Sequence, residues 1–368
     1  MQVLTILPRR EGYAPDRAGA ISLLVSRLAQ PEDIIVGTAI EGNPLPGGQF
    51  MPVSEPGGFW RWMRDGARYR VGCQRIIRRV KPDLIEVHNR PALASALAGA
   101  GIPVNLILHN DPQDMNGART PRQRQALLQQ MRVFTVSHWL RRRFLDDLDD
   151  QPITVMPNCL DLASLPKPPA QRARVMLFVG RMVADKGADA FVRAWSAIVD
   201  RAPDWHAVMI GADRFRFNSP RTNFVDRLEA QATGLGITLC GYQMHAQVLE
   251  TMASASIVVV PSRWPEPFGL TALEAMASGA AVISSPKGGL PEVVGDAALL
   301  ALPDAPGVLE EAMLKMISDH AFRADMAARG LVQARQFDVG PARDFLQKQR
   351  VLSVTKKKKA ASMPQCER

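Results

Sequence analysis

Glu266 and Glu274 stand eight residues apart in EPFGLTALE, and Arg181 and Lys186 follow an apolar run in VGRMVADKG. Paired carboxylates suit acid–base work across a glycosidic bond, or hydrogen bonding to sugar hydroxyls. Two cations at a strand end suit a diphosphate. An isolated Glu pair at this spacing is more often surface charge, so the flanking pattern has to carry the reading. Ser256-Ile-Val-Val-Val-Pro261 reads as a buried strand and Phe268 to Ser278 as the helix after it. Glu266 then lies in the connecting loop and Glu274 nearly two turns into the helix, so the two are not equivalent acids. Phe268, Gly269, Leu270 and Thr271 open that helix, where free N–H groups and the positive dipole end attract phosphate and Gly269 permits close approach. Glu274 is placed to accept from ribose hydroxyls, and Glu266 from a sugar beyond the diphosphate. Arg181 and Lys186, aimed at charge growing on a departing phosphate, lower the barrier without a metal.

The elements that must hold these residues are short β-branched runs alternating with helical patterns, the signature of an α/β fold with parallel sheets covered by helices. Strands are predicted near residues 2–7, 34–38, 83–87, 104–109, 132–136 and 153–156. Helices are predicted over Gly19 to Ala29, Phe59 to Val80, Pro91 to Ala98, Pro121 to Met131 and Ser137 to Leu145, the last capped by Ser137. The pattern halts at Leu165-Pro-Lys-Pro-Pro-Ala-Gln-Arg172, since prolines there suit neither a helix nor a central strand. It resumes with runs at 175–179, 205–210, 237–240, 256–260, 281–284 and 297–300. Two doubly wound, Rossmann-like domains follow: residues 1–163, a linker at 164–173, and a second domain, with the candidate diphosphate-binding cations, at 174–338. Their facing cleft is the expected site. An amphipathic helix over 339–354 is expected to return to the first domain, leaving 355–368 as a basic disordered tail.

At 368 residues, with 46% hydrophobic and 22% charged residues, the chain has the composition of a globular protein of two ordinary domains. The opening Gln2 to Leu7 run lacks the basic start and long apolar stretch of a secretory signal, so a cytoplasmic location is expected. Cys73, Cys159, Cys240 and Cys366 are scattered without a CxxC, which suggests neither a disulfide framework nor a zinc site. The formal charge of +9 favours an acidic partner. Its densest source is Trp60 to Lys81, with eight basic residues against Asp65 and with Trp60, Trp62 and Tyr69 interleaved. That pattern suits peripheral contact with an anionic membrane face, with Lys356 to Lys359 as a second element. The bland alternative is an exposed face whose Val71, Ile76, Ile77 and Val80 pack on the sheet. The DxD within Asp146-Asp-Leu-Asp-Asp150 reads as solvated helix-end charge, and no metal is expected.

VGRMVADKG, PSRWPEPFGLTALEAMASG and SSPKGGLPEVV, in that order and spacing, resemble the family 4 glycosyltransferases, retaining enzymes of GT-B fold. The resemblance implies metal-independent transfer of a hexose from a nucleotide-diphosphate sugar to a saccharide or lipid-linked acceptor, in surface polysaccharide or lipopolysaccharide assembly. The nucleotide sugar enters as co-substrate and no cofactor is implied. Arg181 and Lys186 then bind the donor diphosphate, Glu266 the donor sugar and Glu274 the ribose. Retention follows by front-side attack, the departing phosphate helping to take the acceptor proton. In the first domain, Gly19 matches one glycine of a family pair that contacts phosphate. His109 resembles the family's histidine near the reacting carbon, and Asn158 matches its PN turn. His88 is read as structural, and Gly288-Gly289 as either a plain turn or amides beside the donor. Three other functions stay in view. An epimerase would act on donor alone, and a glycoside hydrolase leaves Arg181 and Lys186 unexplained. A nucleic-acid-binding protein would need signatures that are absent here, so no nucleic-acid partner is expected.

Overall fold

In the computed structural model, which describes residues 1–55, 65–99, 101–213 and 221–362, the chain divides into two units. One is Met1–Leu160 with Val339–Arg368, the other Asp161–Asp338.

The first unit runs β1 (Val3–Ile6), α1 (Ala20–Leu28), β2 (Ile34–Gly37), β3 (Gln49–Pro52), α2 (Asp65–Val80), β4 (Leu84–His88), α3 (Pro91–Ala98), β5 (Val104–Leu108), α4 (Pro121–Gln130), β6 (Arg132–Thr135), α5 (His138–Leu145) and β7 (Thr154–Val155). Its strands are parallel, in the order β3-β2-β1-β4-β5-β6-β7. The order reverses between β1 and β4, so the carboxyl ends of those strands form the crevice where such sheets take ligands. β1, β4 and β5 are buried along their whole length, as strands covered on both faces must be. Ser137 caps α5 by accepting from Leu140 N.

The second unit runs β8 (Ala173–Val179), α6 (Ala188–Ser196), β9 (His206–Ile210), α7 (Asn223–Ala232), β10 (Ile237–Leu239), α8 (His245–Ser254), β11 (Ala255–Val260), α9 (Leu270–Ala277), β12 (Ala281–Ser284), α10 (Leu290–Val294), β13 (Ala298–Leu300), α11 (Val308–Ser318) and α12 (His320–Ala334). Its parallel order β10-β9-β8-β11-β12-β13 reverses between β8 and β11. Phe178, Phe191, Trp195, Met209, Ile257 and Met313 fill its core. Each buried aromatic side chain of this kind contributes roughly 1.5–3 kcal/mol by leaving water.

α13 (Val339–Ser362) belongs to the first unit, where Leu346 packs with Leu24, Leu28 and Phe134. The division between units falls at Leu160, ahead of the proline run expected to be the linker. Leu160 is buried and its carbonyl accepts from Val339 N, while Leu162 N donates to Asp338, so the two crossings lie side by side. The expected end of the last helix at residue 354 also moves. Lysine and alanine over 356–361 are good helix formers, and the helix runs on to Ser362.

On α2 the apolar residues do turn inward, Ile76 and Ile77 being buried. Tyr69, read as an interleaved membrane aromatic, is buried too and donates its hydroxyl to Leu7 O. Arg70, Arg75, Arg78 and Arg79 are exposed. Trp60 and Trp62 lie outside the described residues. Among the described residues no helix is long and apolar enough to cross a membrane.

Candidate active site

The second unit's reversal point gathers three of the loops singled out by sequence. After β8, Gly180 and Arg181 lead into a short turn ending in Lys186. After β11, Pro261 to Gly269 lead into α9. Lys186 Nζ lies 2.5 Å from Glu266 Oε1, and both side chains are mostly buried. Ser262 Oγ donates to the same oxygen at 2.8 Å.

The turn is held from the other loop. Asp185 O accepts from Arg263 N and Trp264 N, and the Arg263 guanidinium donates to Ala184 O while gripping Asp189 and Asp304. These carboxylates hold Arg263 in its charged form, raising its pKa well above the ordinary value. Arg263 therefore acts as a clasp on the lysine turn. Gly187 closes that turn in the left-handed region, with φ 72°, and an added Cβ would overlap Pro261 O. Gly187→Ala is expected to cost about 1–3 kcal/mol, read as a lowered denaturant midpoint, because strain and overlap coincide.

Glu266 is fixed through its backbone as well. Gly289 N donates to Glu266 O at 2.6 Å, and a Cβ on Gly288 would collide with the same peptide. The Gly289 amide is thus spent on the Glu266 loop, and the pair packs close against that loop.

α9 begins at Leu270 rather than Phe268. Gly269 sits at φ 113°, a conformation a helix cannot contain, and caps the helix without a side-chain hydrogen bond. Phe268 is buried edge-on against Phe337, so only its backbone remains for a ligand. Leu270 and Thr271 supply the first turn. Glu274 is the fifth residue of α9, little more than one turn in, and its Oε1 lies 2.8 Å from His245 Nε2 on α8. Glu266 and Glu274 thus have separate partners. His245, Ser262 and Arg263 were not singled out from sequence, although the last two stand inside the PSRWPEPFG motif.

In the first unit, the position beside Gly19 is taken by Glu11. Its Oε1 would meet a Cβ on Gly19 at 2.5 Å and accepts from Ser22 N, in the first turn of α1. Burial pushes the Glu11 carboxyl up against these hydrogen bonds. A carboxylate thus occupies the α1 N-terminus where a phosphate contact was expected.

His109 follows β5 at the carboxyl end of the sheet and is buried. Its Nε2 lies 2.9 Å from Nδ1 of His88, the last residue of β4, and the rings stack at 5.2 Å. Burial draws both imidazoles down, His88 to about 3, so both are neutral near pH 7. His88, read as structural, is therefore a direct partner of His109. The acidic run after α5 is engaged by arginines, Asp146 with Arg143 and Asp150 with Arg141.

The chain is similar to known proteins along most of its length. Residues 165–332 match the model of glycosyl transferases group 1, and residues 33–164 that of glycosyltransferase family 4. Over 170 residues the chain is 31% identical to a D-inositol 3-phosphate glycosyltransferase of Corynebacterium aurimucosum, covering 45% of this chain and 39% of that one. It is 29% identical to the lipopolysaccharide core biosynthesis mannosyltransferase LpsB of Rhizobium meliloti, over 42% of this chain and 44% of that one. The matches therefore span about two-fifths of these relatives. Anabaena Alr3699/HepE, solved in complex with UDP-glucose, superposes with TM-score 0.74 at 19% identity, covering 95% of this chain and 99% of that one. With two family models that together reach from residue 33 to residue 332, and two parallel doubly wound sheets, the chain belongs to the family 4 glycosyltransferases of GT-B fold.

Proposed function

We propose that this chain is a retaining, metal-independent glycosyltransferase that moves a hexose from a nucleotide-diphosphate sugar to a saccharide or lipid-linked acceptor. The observation that carries the reading is the Lys186–Glu266 pair at the reversal point of the second sheet. An ammonium has three donors, and one meets Glu266, so the same lysine can bridge the sugar-binding carboxylate and a phosphate oxygen. Arg181 joins it on the diphosphate, the first turn of α9 adds its dipole, and Glu274, oriented by His245, accepts from the ribose. As the sugar leaves, charge grows on the β-phosphate, where Lys186 and Arg181 stabilise it. That phosphate then takes the acceptor proton from the same face, which retains configuration.

Support for the donor class comes from the UDP-glucose-bound neighbour and from a mannosyltransferase relative. The latter's name also supports a setting in lipopolysaccharide or surface polysaccharide synthesis. The exposed arginines of α2 fit peripheral contact with an anionic inner membrane face, where a lipid-linked acceptor would be met.

Thermal unfolding with UDP-glucose and GDP-mannose tests the reading. A donor present at about 100 times its Kd stabilises the folded state by about 2.7 kcal/mol, a clear rise in Tm. No shift with any nucleotide sugar, or an epimerised sugar nucleotide formed from donor alone, refutes transfer.

A further inference from the structure

His88 is the last residue of β4 and Asn89 follows it, while His109 follows the neighbouring strand β5, in a register that pairs His88 with Ile107. Asn89 holds the backbone of the second pair. It adopts φ 56°, and its Oδ1 accepts from both His109 N and Asn110 N. A non-glycine residue in the left-handed region is uncommon, and asparagine is among the few that tolerate it. His88 holds the ring, through the 2.9 Å contact between its Nδ1 and His109 Nε2 and through stacking at 15°.

Behind His88, Glu86 and Arg350 line a cavity of about 10 Å³, the size of one water, together with Thr5. Arg350 binds both oxygens of Glu86 and one of Asp33, so the charges beneath His88 are paired.

We propose that His88 is a positioning residue, which locks His109 into one tautomer and one tilt and leaves His109 Nδ1 as the nitrogen offered to substrate. Two neutral imidazoles joined at one nitrogen each must share a single N–H. Whichever ring donates, the other nitrogen of His109 takes the complementary role, because the bond at one nitrogen sets the state of the other. The inference rests on the reading that His109 meets substrate.

Imidazole nitrogen NMR on the full chain with ¹⁵N-labelled histidine tests the lock without any ligand. Wild type should show His109 in one neutral tautomer. His88→Phe, which keeps a flat ring but removes the hydrogen bond, should give a tautomer mixture at His109. His88→Asn, whose amide reaches the place of Nδ1 and can donate or accept there, should restore the hydrogen bond to His109 Nε2 and narrow the mixture. On the donor that thermal unfolding identifies, His88→Phe should lower kcat about 10- to 100-fold with KM for the donor unchanged, the size expected for a misplaced catalytic contact. His88→Asn should recover most of it. If the His109 nitrogen signals are the same in His88→Phe as in wild type, the lock does not exist. Should His88→Phe fold and keep full kcat while His109→Ala loses it, the lock is irrelevant to catalysis. Should His109→Ala itself keep full kcat, the role of His109 falls, and the NMR result still decides whether His88 sets its tautomer.

Discussion

Lys186→Ala is expected to lower transfer about 10²- to 10³-fold while the protein stays folded, the loss typical of removing one preorganised group from developing negative charge. Two consequences of the geometry combine. The cation that faces the departing phosphate is gone, and Glu266, which it held at 2.5 Å, keeps the Ser262 hydroxyl but loses its balancing charge beside the diphosphate. Lys186→Arg should rescue poorly, since a planar fork cannot take the place of a compact ammonium in a turn closed by Gly187. Glu266→Gln should behave differently. It removes charge from sugar recognition but leaves Lys186 for phosphate, so transfer falls about 10- to 150-fold, as for a lost hydrogen bond to a charged group. Thermal shift by UDP or GDP separates the two. The shift is lost in Lys186→Ala and kept in Glu266→Gln. Full transfer in both variants, or equal loss of nucleotide binding in both, removes the assigned roles.

How far the sequence carries is visible in particular elements. β11 and α9 were legible because Ile257 to Val260 is a pure β-branched run and the residues after Gly269 are helix formers. The helix start moved by two residues, since a glycine's φ is not written in its neighbours, and its end by one. β3 was not foreseen. Gln49–Pro52 is a short edge strand ending in proline, without alternation, and it exists because β2 offers it a parallel partner. Within the site, Lys186 and Glu266 were both named, but their direct contact spans 80 positions and depends on two loops meeting. Gly19 was matched by local pattern to a phosphate contact. The pattern could not show that Glu11, eight residues earlier, folds back onto the same helix end. His88 and His109 illustrate the same limit, for each reads as a strand-end histidine and only strand order makes them partners.

Arg350 marks the longest of these hidden connections, and its removal should be the most damaging change to stability in the first unit. Its guanidinium meets Glu86 264 positions away and Asp33 317 positions away, and all three side chains are nearly inaccessible. Burial alone would lower the pKa of Arg350, but Glu86 and Asp33 outweigh it and hold the charge firmly in place. Arg350→Met keeps much of the volume yet leaves two buried carboxylates without a cation, which costs about 3–5 kcal/mol. Faster hydrogen exchange at the β2 and β4 amides, next to Asp33 and Glu86, reads the loss locally. The deficit should depend on pH in a defined direction. Burial already raises the Asp33 carboxyl against the pull of Arg350, and without the guanidinium it rises further. Below the ordinary carboxylate value of about 4, both folded and unfolded states carry the proton and the charge penalty vanishes. As pH climbs through the raised folded value, the unfolded state ionises freely while the folded state must bury charge, so stability is lost. The gap in denaturant midpoint between wild type and Arg350→Met therefore widens as pH rises above the ordinary carboxylate range. Adding Asp33→Asn and Glu86→Gln to the variant should flatten that pH dependence and recover part of the loss, because neutral amides are cheaper to bury than charges. A gap that stays constant with pH would mean that Arg350 acts by packing alone, and the buried charge cluster would then have no part in holding α13 to the sheet.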